Sequence, residues 1–259
     1  MAINRGLKLL DYLAGEGRTA FTATDVRECL GLSPQATSNL LARLATSGLV
    51  DRVAAGRYVI RPIGALGTTA VWDDLGSAVA AVFAGQPHRI SFLTALDHHG
   101  LLVRPVRSVQ VASPARPRPA SLSGRPLHVI REQPATLYLG SEPLGPSRVS
   151  TAERALIDTA SRPRLTGGGP RLAEALAAIE RSSGLANLAL QLGASAAYRR
   201  IGSIATTLHL PIAGDLQPTT WKSLVELDPT ANRHRGWIDK DWGVAWPYPS
   251  SELEAVTAR

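Results

Sequence analysis

The feature that most constrains this chain is a pair of helix signals between residues 22 and 47. Thr22 is placed to cap a first helix, and Asp25 follows three residues later, as in a capping box. Gly31 is placed to end that helix, and Ser33 followed by Pro34 is a typical start for the next one. Two helices joined by so short a turn predict a helix-turn-helix.

The second helix of this pair has one apolar stripe and one polar face. At about 100° per residue, the stripe is formed by Thr37, Leu40, Leu41 and Leu44, which we expect to be buried. The other face carries short polar side chains and almost no acids, and amide and guanidinium groups of this kind read base edges in the major groove. We expect DNA contacts from Ser33, Gln35, Ser38, Asn39 and Arg43.

A predicted strand pair follows the second helix. Residues 49–53 and 58–61 flank a glycine-containing turn, which is typical of a wing. Arg52, Arg57 and Arg61 are expected to contact phosphates or enter the minor groove, and Arg57, at the tip, is expected to matter most. The pattern predicts a winged helix-turn-helix that binds duplex DNA. A winged fold used only for protein contacts is the alternative.

The charge of the chain also favours a polyanionic partner. Its 259 residues carry a formal net charge of +7, with a pI near 10.2. The most basic stretch lies outside the winged segment, because between residues 89 and 131 the arginines are opposed by Asp97 alone. A secondary basic surface is therefore expected from Arg104, Arg107, Arg116, Arg118 and Arg125.

Length and residue pattern predict two domains. Residues 1–62 form the predicted winged helix-turn-helix, and the boundary is expected at Pro62 to Gly64. After a helix from about 71 to 83, β-prone runs such as 135–139 alternate with proline and glycine up to residue 148. The remainder predicts helices at 151–161, 170–183, 185–192 and 196–208, then an irregular Trp- and Pro-rich tail at 239–249. The predicted class is α+β, with residues 63–259 forming a larger mixed domain whose C-terminal half is helical.

Motifs that carry chemistry are weak in this sequence. His98 and His99 are adjacent, and adjacent histidines do not face one another on a helix, so we expect no metal site. The run 167–169 lacks the lysine of a Walker loop and is interpreted as an ordinary loop. The single cysteine, Cys29, allows no disulfide within the chain. We predict no catalytic residues, no cofactor and no enzymatic activity.

Targeting signals are not found in the sequence. The first residues have no signal-peptide core, and no apolar run has the length of a membrane span. We expect a cytoplasmic protein without a membrane partner.

Several sequence segments after residue 87 occur in the same order as in one known protein family. They are residues 88–101, residues 149–158, Arg162-Pro163 and the glycine turn 167–169. Within them, Ser150 to Glu153 have the form of a capping box, and Arg154 and Asp158 have the spacing of an ion pair. Over roughly residues 1 to 210 the chain resembles the AbiEi antitoxins of type IV (AbiE) toxin–antitoxin systems.

The resemblance implies an antitoxin that represses its own operon. In that family the winged helix binds inverted repeats at the promoter, and the second domain neutralises a nucleotidyltransferase-like toxin encoded next door. The implied partners are double-stranded promoter DNA and this cognate toxin. Two alternatives stay open: a winged-helix transcription factor with a ligand-sensing second domain, and an enzyme that acts on a toxin or on RNA.

Overall fold

The computed structural model describes residues 5–61, 75–83, 85–115, 121–122, 125–231 and 236–257. Its helices are α1 (Arg5–Gly15), α2 (Ala23–Leu30), α3 (Pro34–Thr46), α4 (Leu75–Phe83), α5 (Phe92–His98), α6 (Ala152–Ser161), α7 (Pro163–Thr166), α8 (Gly168–Ala177), α9 (Leu185–Gln191), α10 (Ser195–Thr207) and α11 (Ser251–Thr257). Its strands are β1 (Ala20–Thr22), β2 (Val50–Ala54), β3 (Arg57–Ile60), β4 (Arg89–Ile90), β5 (Val109–Ser113), β6 (Ser121–Leu122), β7 (Arg125–Arg131), β8 (Ser141–Leu144), β9 (Ser147–Ser150), β10 (Val225–Glu226), β11 (Trp237–Asp239) and β12 (Val244–Trp246). A 3₁₀ turn spans Pro211–Asp215.

Contacts divide the chain into two units. The first unit comprises Met1–His88, Arg107–Glu132 and Pro143–Arg148, and the second comprises Arg89–Val106, Gln133–Glu142 and Val149–Arg259. The first unit therefore extends past residue 62 and takes in α4 and β5 to β7. Residues 62–64, where the sequence predicts the domain boundary, lie outside the described residues.

The first unit begins with a winged helix-turn-helix, formed by α1 to α3 and a three-stranded sheet of order β1-β3-β2. Both strand pairs are antiparallel. The apolar stripes of the three helices meet over this sheet and bury Leu9, Leu13, Phe21, Val26, Leu40, Leu41, Leu44, Val50 and Tyr58. The α+β class and the N-terminal winged domain predicted from the sequence are confirmed.

The helix caps of the winged domain form as predicted. The Thr22 side chain accepts a hydrogen bond from Asp25 N, and the Asp25 carboxylate accepts one from Thr22 N at 2.6 Å. Gly31 ends α2 with φ 61°, a left-handed conformation that glycine adopts without strain. Ser33 caps α3 with Pro34 at its first turn. These local bonds set the turn between the two helices.

The rest of the first unit adds a helix and a second set of strands. The helix α4 contacts all three strands of the winged sheet. β5 and β7 pair in parallel from Val109↔Leu127 to Ser113↔Arg131, and β6 pairs antiparallel with β7. Winged sheet and added strands therefore belong to one packed unit.

The second unit is mainly helical. β4 pairs in parallel with β9 through Ile90↔Val149, and α6 packs against α5, α8, α9 and α10. Near the C-terminus, β10, β12 and β11 form a small sheet. Trp246 of β12 and Trp242, in the turn between β11 and β12, are almost fully buried. The Trp246 indole donates a hydrogen bond to Ser203 Oγ of α10 at 2.8 Å, which fixes this sheet to the helix.

Several local expectations are corrected by the structure. Residues 135–139 form consecutive turns instead of a strand, with Leu139 N donating to the carbonyl of Thr136. The helix expected at 170–183 runs from Gly168 to Ala177, because it begins within the glycine run. Thr151, and not Ser150, caps α6. The C-terminal tail is partly regular, since it contains β12 and part of β11.

Among the described residues, no helix combines the length and the apolar character needed to cross a bilayer.

Candidate nucleic-acid interface

Helix α3 presents the face expected of a recognition helix. Thr37, Leu40, Leu41 and Leu44 are buried, as the sequence predicts. The opposite face is exposed and carries Gln35, Ser38, Asn39 and Arg43. These side chains offer amide, hydroxyl and guanidinium groups, which can donate to and accept from base edges. The structure therefore brings four of the predicted contact residues onto one solvent-facing surface.

Two further contacts organise this face. Ser33 Oγ accepts a hydrogen bond from Ala36 N at 3.3 Å, so its hydroxyl caps α3 while the residue stays exposed. Gln35 Nε2 donates to Asn39 Oδ1 at 3.1 Å, across one turn of the helix. The two amides are thus aligned side by side before any DNA is bound, which reduces the rotamer freedom that binding has to remove.

The helix before it is anchored by a small ionic cluster. Arg18 Nη2 lies 2.9 Å from Asp25 Oδ2, and the same carboxylate accepts hydrogen bonds from the backbone and hydroxyl of Thr22. Burial alone would raise the pKa of Asp25, but the Thr22 hydrogen bonds and the charge of Arg18 lower it below its ordinary value. Ionised Asp25 therefore stabilises the N-terminal end of α2, the helix that packs against α3.

Arg61 is engaged within the winged sheet. Its Nη2 and Nε atoms lie 2.8 and 3.0 Å from the two carboxylate oxygens of Asp51, on the neighbouring strand β2. Both side chains are largely buried, with exposed fractions of 14% and 16%. Such a two-point pair holds the guanidinium in one orientation. To contact a phosphate, the Arg61 guanidinium would have to leave Asp51 or bind both groups at once.

Arg57 lies at the end of the wing but is directed into the protein. The carbonyl of Gly56, in the wing turn, accepts a hydrogen bond from Ala23 N at the start of α2. The Arg57 guanidinium donates to the carbonyls of Ala81 and Val82, at the C-terminal end of α4. Cations are stabilised at that end of a helix. This contact depends on α4, which lies outside the winged segment itself.

Arg52 is the exposed arginine of the wing. It lies on β2 next to a bulge that shifts the register between Arg52 and Ala54. Arg43 of α3 is likewise exposed. Arg52 is exposed to solvent, as a phosphate contact requires, whereas Arg57, which the sequence predicts to matter most, is bonded to α4.

The predicted secondary basic surface is divided between the units. Arg104 is exposed in the second unit, whereas Arg107, exposed, and Arg125, half-buried, belong to the first. Arg116 and Arg118 lie outside the described residues. Arg89, which contributes to the basic stretch in the sequence, is fully buried and lies 3.1 Å from Asp158, so its charge is compensated inside the second unit.

The residues that carry the family resemblance form a buried ionic network. Asp158 Oδ1 accepts from Arg154 Nε at 2.8 Å, which confirms the predicted ion pair on α6. Asp158 Oδ2 lies 3.1 Å from Arg89 Nη2 and also accepts from Ser150 Oγ at 3.2 Å. Arg154 Nη1 donates to the carbonyls of Thr136 and Leu139. The network ties α6 to β4 and to the turns at 134–140.

The glycine turn at the start of α8 contacts an acidic residue of the same chain. Gly169 N donates to Asp228 Oδ2 at 3.2 Å, and a Cβ on Gly168 would lie 1.9 Å from that oxygen. Gly168 also has φ 70°. Glycine is required here by the close approach and by the conformation. The carboxylate of Asp228 occupies the position that a phosphate takes in an anion-binding helix terminus.

Comparison with known proteins supports the assignment of the N-terminal domain. Residues 7–57 match the MarR family. Among curated proteins none matches this chain. A solved structure with a similar fold is that of the RV2827C protein from Mycobacterium tuberculosis, with a TM-score of 0.66 and 18% identity over 98% of this chain and 93% of that one. At this identity the likeness describes the fold.

The N-terminal domain is thus a winged helix of the MarR type, the kind of domain with which DNA-binding transcription regulators contact duplex DNA. The match ends at Arg57, before α4 and the strands that complete the first unit.

Proposed function

We propose that this chain is the antitoxin of a toxin–antitoxin pair and represses transcription of its own operon. The observation that carries the proposal is the exposed polar face of α3 on a MarR-type winged helix. The resemblance of residues 88–101 and 149–158 in the second unit to AbiEi antitoxins adds the antitoxin role. The proposed partners are promoter DNA with inverted repeats and a nucleotidyltransferase-like toxin.

The DNA-binding step is assigned to α3 and the wing. Gln35, Ser38, Asn39 and Arg43 face the major groove, and Arg52 contacts a phosphate of the flanking backbone. Inverted repeats would place two copies of the chain on neighbouring half-sites, since half-site spacing follows the geometry of two recognition helices.

Toxin neutralisation is assigned to the second unit, without a catalytic step. The polar residues of the family motifs, Arg89, Ser150, Arg154 and Asp158, are buried and bonded to one another. Asp228 is likewise bonded to the glycine turn. Because these side chains are bonded inside the protein, we assign the motifs a structural role. The toxin then binds the exposed surface of the unit that the motifs stabilise.

Co-expression tests the antitoxin assignment. Cells that express the neighbouring reading frame should stop growing, and the full chain should restore growth. The variant Asn39→Ala should still restore growth but should no longer repress a reporter driven by the operon promoter. Failure of the wild-type chain to restore growth would refute the antitoxin role, and unchanged repression by the variant would refute the assigned reading face.

A second candidate function, a ligand-sensing transcription factor, is favoured by one cavity. A pocket of about 360 Å³ lies in the second unit over the small sheet, and it is lined in part by Trp237, Trp246, Glu226 and Asp228. The two indole rings are stacked with centroids 5.2 Å apart. The stacked indoles with Glu226 suit a flat, cationic small molecule, and Asp228 contributes less because its carboxylate is bonded to the glycine turn. A compound that changes both the tryptophan fluorescence and the affinity for the promoter would favour this candidate.

A further inference from the structure

Three potential metal ligands from two separate segments converge in the second unit. His98, His99 and Glu142 each offer one ligand atom, and these atoms all lie within 4.8 Å of one another. His98 and Glu142 are exposed, and His99 is half-buried. Two imidazoles and one carboxylate form a ligand set that suits Zn²⁺ and related divalent transition-metal ions.

The end of α5 explains how adjacent histidines can share a site. His98 is the last residue of the helix, and His99 is its C-cap with φ −82° and ψ 4°. Gly100 follows with φ 68° and turns the chain away. The two rings lie in an edge-to-face arrangement with centroids 5.1 Å apart. Glu142 of β8 reaches the two rings from another segment, so that three ligand atoms converge.

A hydrogen bond orients the half-buried histidine. His99 Nε2 lies 2.7 Å from the carbonyl oxygen of Ser150. Since a carbonyl only accepts, Nε2 carries the proton, and the lone pair of the neutral ring is on Nδ1. Histidines that bind metals regularly donate their other ring N–H to a backbone carbonyl, which fixes tautomer and orientation. This bond is independent of the clustering of the three side chains.

We propose that His98, His99 and Glu142 bind one divalent transition-metal ion, with Zn²⁺ as the first choice. In a tetrahedral site with zinc–ligand bonds of about 2.0–2.1 Å, ligand atoms are separated by about 3.3 Å. The site therefore has to contract on binding, and the side chains that must move are the exposed ones, His98 and Glu142. The fourth position faces solvent and takes a water molecule or a ligand from a partner.

The bound ion links the C-terminal end of α5 to β8, two segments that are far apart in the sequence. A cross-link of this kind stabilises the unit that binds it, because the metal binds the folded chain in preference to the unfolded one. The proposal does not depend on the antitoxin assignment.

The test is a titration of the full, tag-free chain with Zn²⁺ after removal of metal by a chelator. Calorimetry should give one ion per chain. His98→Gln and Glu142→Gln should each weaken binding by about 10- to 100-fold or more, since even partners outside the ligand set have effects of that size. His128→Gln is the matched control, because His128 is an exposed histidine on β7, away from the cluster in the sequence and in the other unit.

Two results would overturn the proposal: no binding by the wild-type chain, or binding by both cluster variants equal to that of the control. Absorption of the Co²⁺ complex of the wild-type chain provides a readout that does not depend on any variant. The intense visible bands of a four-coordinate nitrogen and oxygen site are expected. The weak spectrum of hydrated Co²⁺, or a thiolate charge-transfer band from Cys29, would contradict the assignment.

Discussion

Arg57 of the wing donates a hydrogen bond to the carbonyl oxygen of Val82, in the last turn of α4. The wing is therefore connected to a helix that follows the winged segment in the sequence, and α4 also contacts β1, β2 and β3. The two arginines at either side of the wing turn have different environments, since Arg57 is bonded inside the unit and Arg52 is exposed.

We predict that Arg52→Ala and Arg57→Ala change different properties. Arg52→Ala should weaken binding to any duplex and reduce the slope of log affinity against log salt by about 1, because one phosphate contact is lost. Arg57→Ala should leave that slope unchanged and lower the free energy of unfolding by about 1–3 kcal/mol, because two carbonyls lose a charged donor.

Fluorescence anisotropy at several salt concentrations and urea unfolding of both variants provide the two readouts. A reduced salt slope for Arg57→Ala with unchanged stability would show that its guanidinium leaves α4 to contact DNA.

The amide pair on α3 leads to a prediction about specificity. Gln35→Ala and Asn39→Ala should each reduce affinity for the native operator by about 1–3 kcal/mol while changing affinity for a scrambled duplex much less. Because Gln35 donates to Asn39, the double variant should lose less than the sum of the two single losses. Strict additivity in this double-mutant cycle would mean that the two amides act independently.

The buried network predicts a large effect on stability. Asp158→Asn removes the charge that compensates Arg89 and Arg154, and should lower the free energy of unfolding by about 3–5 kcal/mol. Glu153→Gln, on the same helix but partly exposed, should stay within about 0.5 kcal/mol of wild type. Urea unfolding followed by circular dichroism compares the two. An Asp158→Asn chain as stable as the control would show that the network adds nothing to the fold.

The lowered pKa of Asp25 predicts a dependence of stability on pH. A carboxyl whose pKa is lower in the folded chain stabilises it fully above the ordinary value of about 3.9, and loses this effect as the pH falls towards the folded-state pKa. Asp25→Asn should therefore destabilise the chain at pH 6 and approach wild type as the pH falls below the lowered pKa of Asp25. Asp11→Asn, at an exposed position of α1, serves as the control. A constant difference at every pH would contradict an electrostatic origin.

The sequence predicts the winged domain well because its signals are local. The capping box of Thr22 and Asp25, the glycine at 31 and the Ser33-Pro34 start each act within a few residues, and all form as expected. The exposed polar face of α3 follows from helical periodicity alone, once the buried stripe of leucines is recognised.

Contacts between distant segments are the part that the sequence does not predict. The sequence predicts a DNA contact for Arg57 from its position in the hairpin, and nothing near it in the sequence indicates that α4 also supplies carbonyls for it. In the sequence Arg89 belongs to a basic stretch, and only the structure shows that Asp158 lies beside it and compensates its charge. Glu142 gives no sign in the sequence that it meets the two histidines. In each case tertiary packing brings the partner from a distant segment, and residue spacing and periodicity describe only local structure.

Recognition of the promoter by α3 is tested by the affinity of the full chain for its own promoter, compared with a scrambled duplex of the same length at physiological salt. We expect the promoter to be bound at least about 10³-fold more tightly, as is typical of specific recognition. The preference should fall strongly in Asn39→Ala. Equal affinities for the two duplexes would refute base recognition by α3, because a purely electrostatic interaction would then explain the binding.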